Sequence, residues 1–364
     1  MTIPSLQEII LHEDNDVILP ISFPPKSSVY GHIITPLLIF NAYPQTEEWV
    51  YSNYIQLCIP KDQDKFADED IEVLNFYPKY FSDVDSTFLK TYNITEDIKE
   101  LTEDTLVERF MFWIKNDYYI QCFMNEGEIP GTYMYANKQF ALNEQLIYGF
   151  SKPNKVFYLM AFNEKKHLVQ MKLGFNDLVS AFFSAQTQQL SEQSSWISVG
   201  KKYGLMLYKI KKQIIYKFSL ENFIIQLDEY ISGKNSAIHF IWLNTEKMDH
   251  AFGIQVYDAL EKWINKYTTE FIDYRSFFCL WDHKKIMNER LKFLYDNNFL
   301  DKDYTGEYDE VVKISNHIRL EILKYDYKGR RNVIDSIIKR LRQLKDLEYK
   351  ILSKVLDELL KKWT

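Results

Sequence analysis

The side chains able to do covalent or acid–base chemistry are few and poorly placed for it. The chain has three Cys and seven His. Cys58 lies in NYIQLCIP, Cys122 in YYIQCFMN and Cys279 in SFFCLW. Apolar surroundings raise a thiol pKa and leave it inert. A Cys nucleophile belongs at a helix N-terminus, where the dipole favours the thiolate. The helix start offered here, Ser27-Ser28-Val29-Tyr30-Gly31-His32, holds no Cys. His239, inside AIHFIWL, reads as a core histidine. His283, inside LWDHKKIMNERL, reads as a structural hydrogen-bonding group on a helix. There is no Gly-rich phosphate loop, no HExxH and no Cys/His spacing suited to zinc, so neither cofactor nor metal is expected.

The elements that would position these residues follow from periodicity. Tyr118 to Phe162 alternates apolar and polar residues in runs broken by Gly127, Pro130, Gly131 and Lys152–Lys155, the pattern of an antiparallel meander. Within it, Gln145–Phe150 and Val156–Phe162 should pair. Upstream, Ser27 and Ser28 can cap a buried helix containing Pro36. Glu47–Leu57 fits helix or strand, and Glu103–Lys115 an amphipathic helix. Downstream come a strand at Leu168–Leu173, a helix from Asn176, and a hairpin of Leu205–Ile210 with Ile214–Phe218. A helix capped by Ser219 follows. From Asp249 the period becomes helical, over His250–Tyr267, Arg275–Asn297, Tyr308–Tyr325 and Asn332–Trp363. The reading is therefore α+β: a mixed domain with an antiparallel sheet over 1–235, then a helical bundle domain over 236–364.

Composition narrows the class. Hydrophobic residues at 46% and charged residues at 26% describe a globular chain. The 26 Tyr and 25 Phe make aromatic-rich cores, or a pocket lining for a flat ligand. A net charge of -7 disfavours nucleic acid as a partner. No apolar run is long enough to span a membrane. An acidic start without a basic n-region, together with an odd Cys count, points to a reduced cytoplasmic location.

Several segments resemble the butirosin-acyltransferase N-terminal-like family, papain-like and peptidase-C39-like domains of bacterial peptide and secondary-metabolite gene clusters. They are Tyr30-Gly31-His32, Trp49 with Tyr51–Leu57, Tyr118-Tyr119, Ile129-Pro130, Tyr135, Ile147–Phe150 and Val156-Phe157. Gly253–Leu260 and Leu280–Lys285 add to them. The resemblance implies a papain-like fold for 1–235. It also implies a Cys at the start of the first buried helix and a His just before the IYGY-like strand. Here the helix start offers Ser27, Ser28 and Tyr30, and the approach to Ile147 reads Ala141-Leu142-Asn143-Glu144-Gln145. The catalytic candidates are therefore Ser28, His32 and Asn143. A base within the helix of its own nucleophile is poorly aimed, so Ser28 and His32 make a weak couple. The implied role is a non-catalytic scaffold or binding partner in peptide natural-product biosynthesis. The alternative is an acyl- or peptidyl-transferase fed by a carrier protein. In a papain-like cleft, Tyr30, Tyr54, Tyr135 and Tyr148 would line the ligand site.

Partner recognition is expected from a basic run, Lys324, Lys328, Arg330, Arg331, Lys339, Arg340, Arg342 and Lys345, with Arg331, Arg340 and Arg342 as docking residues for an acidic carrier protein or peptide synthetase. The bland reading is a solvated helix face with partners such as Asp335–Lys339 and Asp346–Lys350. The apolar stripe Ile334, Ile337, Leu341, Leu344, Ile351, Val355 and Leu359 must pack within the bundle or across a homodimer.

Overall fold

The computed structural model describes residues 15–27, 29–61, 74–77, 87–189, 204–239, 249–266, 272–328 and 331–363. In chain order the first elements are β1 (Asp16–Ile18), α1 (Gly31–Phe40), α2 (Glu47–Ser52), β2 (Gln56–Pro60), β3 (Asn75–Tyr77) and β4 (Leu89–Asn93). The middle holds α3 (Glu103–Lys115), β5 (Tyr119–Asn125), α4 (Tyr133–Ala136), β6 (Leu142–Ser151), β7 (Val156–Phe162), β8 (Leu168–Gly174), α5 (Phe175–Gln189) and β9 (Leu205–Ile210). The last part holds α6 (Leu220–Ser232), β10 (His250–Phe252), α7 (Val256–Lys266), α8 (Arg275–Asp296), α9 (Thr305–Lys328) and α10 (Arg331–Trp363).

These elements form two compact units, and both are discontinuous in sequence. A sheet unit comprises Met1–Pro20 and Leu89–Ile210; a helical unit comprises Ile21–Phe88 and Lys211–Thr364. This is not the expected division at residue 235, which falls inside the helical unit. The switch in periodicity marks where helices become continuous. It does not mark which elements share a core.

In the sheet unit, seven antiparallel strands run β4-β9-β5-β6-β7-β8, with β1 beside β6. Ten-residue β6 gives its first six positions to β5, from Leu142↔Asn125 to Ile147↔Ile120. Its last three go to β1, from Gly149↔Ile18 to Ser151↔Asp16. The expected pairing of β6 with β7 is present, with a bulge between Ile147 and Gly149. Amphipathic α3 buries Leu106, Phe110 and Trp113, the three residues of its expected apolar stripe. Ile214–Phe218, expected as the second strand of a hairpin with β9, has no strand structure. Ile215 is 82% exposed there, so alternation alone found no sheet face to bury against.

In the helical unit, β10-β2-β3 make a small antiparallel sheet. β10 occupies the first three residues of the helix expected from His250; Gly253 ends it at φ +53°. A Cβ on Gly253 would lie 2.1 Å from the Tyr230 carbonyl oxygen, which only glycine avoids. The stripe from Ile334 to Leu359 is buried within this unit, which leaves none of it for a homodimer interface.

A fully buried polar cluster ties these helices together. The Glu348 carboxylate of α10 accepts from Tyr230 (3.0 Å, α6), Tyr257 (2.6 Å, α7), Tyr308 (2.5 Å, α9) and Lys284 Nζ (2.8 and 2.9 Å, α8). Lys284 also donates to the Tyr230 hydroxyl (2.7 Å) and to His283 Nδ1 (3.1 Å), so its three protons are shared among four acceptor atoms. His283 Nε2 must then carry the ring proton, which it donates to the Ile55 carbonyl at 2.7 Å. The imidazole is neutral with both nitrogens engaged. Burial and the Lys284 charge hold its pKa well below the ordinary value. The structural role expected of His283 is met.

The sign of the resulting pH dependence is fixed. The unfolded chain binds a proton at residue 283 near pH ~6.5 and the folded chain does not, so acid favours unfolding. Below pH ~6.5, wild-type stability should fall by up to about 1.4 kcal/mol per pH unit more steeply than that of His283→Gln. Urea unfolding from neutral to mildly acidic pH measures the difference. Parallel curves for the two proteins would contradict the neutral assignment.

Candidate functional site

The sheet unit carries a concavity of about 770 Å³ beside the connection from β5 to β6. That volume lies within the range of small-ligand sites. The connection is built as a rigid piece. Buried Thr132 donates its hydroxyl to the carbonyls of Glu126 (2.8 Å) and Ile129 (2.9 Å), and caps α4 by accepting from the Tyr135 amide. Asn125, at the end of β5, accepts from the amides of Gly127 (2.9 Å) and Ala141 (3.3 Å). Its own amide donates to Ser184 of α5 at 3.1 Å. Gly127 is obligatory, because a Cβ would sit 2.4 Å from the Gln139 carbonyl oxygen.

The lining mixes ring faces with polar groups. Tyr135 and Phe140 present rings that are 46% and 36% exposed. Glu128, Lys138 and Gln139 add one anion, one cation and one amide; Ser184 and Thr187 contribute hydroxyls from α5. Glu128 is fixed by Ser180, which donates to Oε2 at 3.1 Å. Such a surface can bind an apolar or aromatic side chain while hydrogen-bonding the backbone that bears it. Beneath the same connection, Glu126 is buried and accepts at Oε1 from Asn143 (3.0 Å) and Gln145 (3.2 Å). Burial raises its pKa, and the two amide bonds offset only part of that rise.

Ser28 lies outside the described residues. Asn143 serves Glu126 in the sheet unit, whereas His32 belongs to the helical unit. His32 Nε2 accepts from Asn75 Nδ2 at 3.1 Å, so the lone pair needed by a general base is engaged and Nδ1 carries the proton. Its ring stacks on Tyr30, at 5.6 Å between centroids. Tyr30 precedes α1 with φ +62° and ψ 118°, a costly conformation for a bulky residue. Its hydroxyl bond to the Leu74 carbonyl (3.0 Å) and the stacked imidazole hold it there.

Of the four expected ligand-lining tyrosines, only Tyr135 lines the concavity. Tyr30, Tyr54 and Tyr148 are buried, and Tyr54 is 1% exposed, so these three serve packing. Sequence reasoning missed Gly127, Glu128, Ser184 and Thr187. The polar break Asn125-Glu126-Gly127-Glu128 after an apolar strand was the available signal. The three cysteines form no disulfide and are fully buried, and burial drives the Cys122 pKa far upward. His239, expected in the core, is about half exposed and pairs with Glu229 Oε1 at 2.6 Å.

The expected docking cations are also committed. Arg340 pairs with Glu321 of α9 (3.2 Å), Arg342 with Glu261 of α7 (2.9 Å through Nε), and Lys345 with Asp258 of α7 (2.6 Å). The Arg331 side chain lies outside those described. These three cations pair α10 with its neighbours, and their ion pairs run between helices rather than along one.

Among the described residues, no group of three or more His, Cys, Asp or Glu is placed to hold a metal ion. No helix among them is long and apolar enough to cross a membrane. No protein-family model matches the chain, and no curated protein matches its sequence.

Proposed function

We propose that this chain is a papain-like protein without catalytic activity that acts as a binding partner or scaffold in bacterial peptide natural-product biosynthesis. In this reading the concavity beside α4 takes a peptide or acyl segment. One observation carries it: two exposed aromatic rings and a convergent set of fixed polar groups meet on a backbone frame held by Asn125 and Thr132. The absence of chemistry is supported by the engaged lone pair of His32 and by the buried thiols. The unbridged cysteines fit a cytoplasmic location. The partner suited to the role is an acidic carrier protein or a peptide synthetase. Arg340 and Arg342, already paired, do not supply its docking surface.

Binding of fluorescently labelled acyl and aromatic peptides, followed by anisotropy, tests the reading. Tyr135→Ala and Phe140→Ala should each weaken binding by about tenfold, the order expected for losing one packed ring. Equal affinity in both variants would remove the concavity from the proposal. Incubation with electrophilic hydroxyl and thiol probes separates the two classes of function. No labelling is expected. Stoichiometric modification at Ser28 or at a Cys would instead establish the alternative, an amide-forming acyl- or peptidyl-transferase.

A further inference from the structure

In the helical unit, α8 and α9 bring aromatic rings and cations together. Phe278, Trp281, Asp282 and Lys285 follow one another at i, i+3, i+4 and i+7, so they share one face of α8. The facing residues are Asn316 and Arg319 of α9. The indole of Trp281 lies against two cations, Lys285 Nζ at 3.8 Å and Arg319 Cζ at 4.0 Å from its centroid. Arg319 Cζ is also 4.7 Å from the Phe278 centroid. Two rings therefore fix the guanidinium plane.

The donors of Arg319 are only partly used. Asn316 Oδ1 accepts from Nε (3.0 Å) and Nη2 (2.8 Å). A guanidinium carries five N–H groups, so the fork formed by Nη1 and the second hydrogen of Nη2 is left over. Among the described residues no carboxylate forms an ion pair with Arg319. The acid nearest in chemistry, buried Asp282, is taken by Lys285 (2.8 Å) and by the Ser27 hydroxyl (3.2 Å). The group of Lys285, Arg319 and Asp282 thus carries one uncompensated positive charge. Arg319 is half-buried; desolvation lowers its pKa, and the nearby Asp282 charge offsets only part of that fall.

We propose that this face binds a carboxylate, held bidentately by the outer fork of Arg319. A planar fork and a single surplus charge match a planar monoanion. A phosphate dianion would call for further donors, such as a Gly-rich loop, which the sequence lacks. The ligand class is a peptide or small molecule bearing a free carboxylate.

The test compares N-acetyl-glycyl-glycine with its C-terminal amide and with inorganic phosphate. The protein carries 5-fluorotryptophan, and the Trp281 resonance is assigned by Trp281→Phe. The free acid should give a saturable shift of that resonance, and the amide none. Arg319→Gln and Arg319→Lys should each raise the Kd for the acid by about tenfold or more, because lysine keeps the charge but loses the fork. Thermal melts of both variants report whether the fold survives; Arg319→Lys serves as the test should Arg319→Gln unfold. Equal shifts from acid and amide, an unchanged Kd in a folded variant, or no shift with any probe would overturn the proposal. Tighter binding of phosphate than of the acid would replace the carboxylate with a phosphate ligand.

Discussion

Replacing Lys284 with Met should destabilise the protein by about 3–5 kcal/mol, the usual cost of removing one partner from a buried ion pair. Glu348 would keep the hydroxyls of Tyr230, Tyr257 and Tyr308 but lose its counter-charge at a site with no solvent access. His283 Nδ1 would lose its donor as well. The double variant Lys284→Met with Glu348→Gln should recover part of the loss, because a neutral amide oxygen can still accept from the tyrosines while no unpaired charge stays buried. Urea midpoints of the two variants measure both effects. A loss under about 1 kcal/mol in the single variant, or no recovery in the double, would show that the pair is not what orders this cluster.

The second large effect is expected at Arg290, the bulkiest fully buried side chain among the described residues. Its Nε donates to the Tyr51 carbonyl at 2.7 Å, and its Nη2 to the carbonyls of Asn53 (2.5 Å) and Tyr54 (3.3 Å). Tyr51 lies in the last turn of α2, where a helix leaves carbonyls unpaired, and Asn53 and Tyr54 follow its end. Tyr54 takes φ +54°, the left-handed position that glycine usually fills. The guanidinium therefore caps the helix and holds a strained tyrosine at once. Burial brings its pKa down to about 10, still charged at neutral pH. Arg290→Met should cost about 3–4 kcal/mol, since several buried acceptors lose their donor together. Arg290→Lys should recover little, because one ammonium cannot span three carbonyls. Denaturant titration of the three proteins decides the matter.

What the sequence disclosed was local. β6 and β7 alternate with period 2 around a four-residue turn, and α10 repeats its apolar residues from Ile334 to Leu359, so each could be read from a short window. β10 could not. It is three residues long and exists because Cys58, Ile59 and Pro60 lie opposite it, some 190 residues away in the chain. Ile214–Phe218 shows the converse error, a strand pattern with no partner strand. The candidate site was legible only at Tyr135. The other lining groups come from a loop and from one face of α5, and nothing in their spacing announces that they meet. The basic run of α10 misled for the same reason: Glu261 and Asp258, which neutralise Arg342 and Lys345, are more than eighty residues upstream. Charge read along one helix says nothing about the helices packed against it.

The interleaving of the two units has a consequence for the protein's birth on the ribosome. The sheet unit holds all its residues once Ile210 has been made, but the helical unit waits for the C-terminus. Until then β2, whose Leu57, Cys58 and Ile59 have no solvent exposure in the finished protein, must emerge without β10, and the end of α2 without Arg290. A nascent chain halted near residue 210 should thus present a finished sheet together with an apolar strand, β2, that has yet to meet β10, a substrate for chaperones. The same connectivity makes a truncation at residue 235 a poor way to isolate either half. Such a cut would leave one unit whole and strand the first segment of the other.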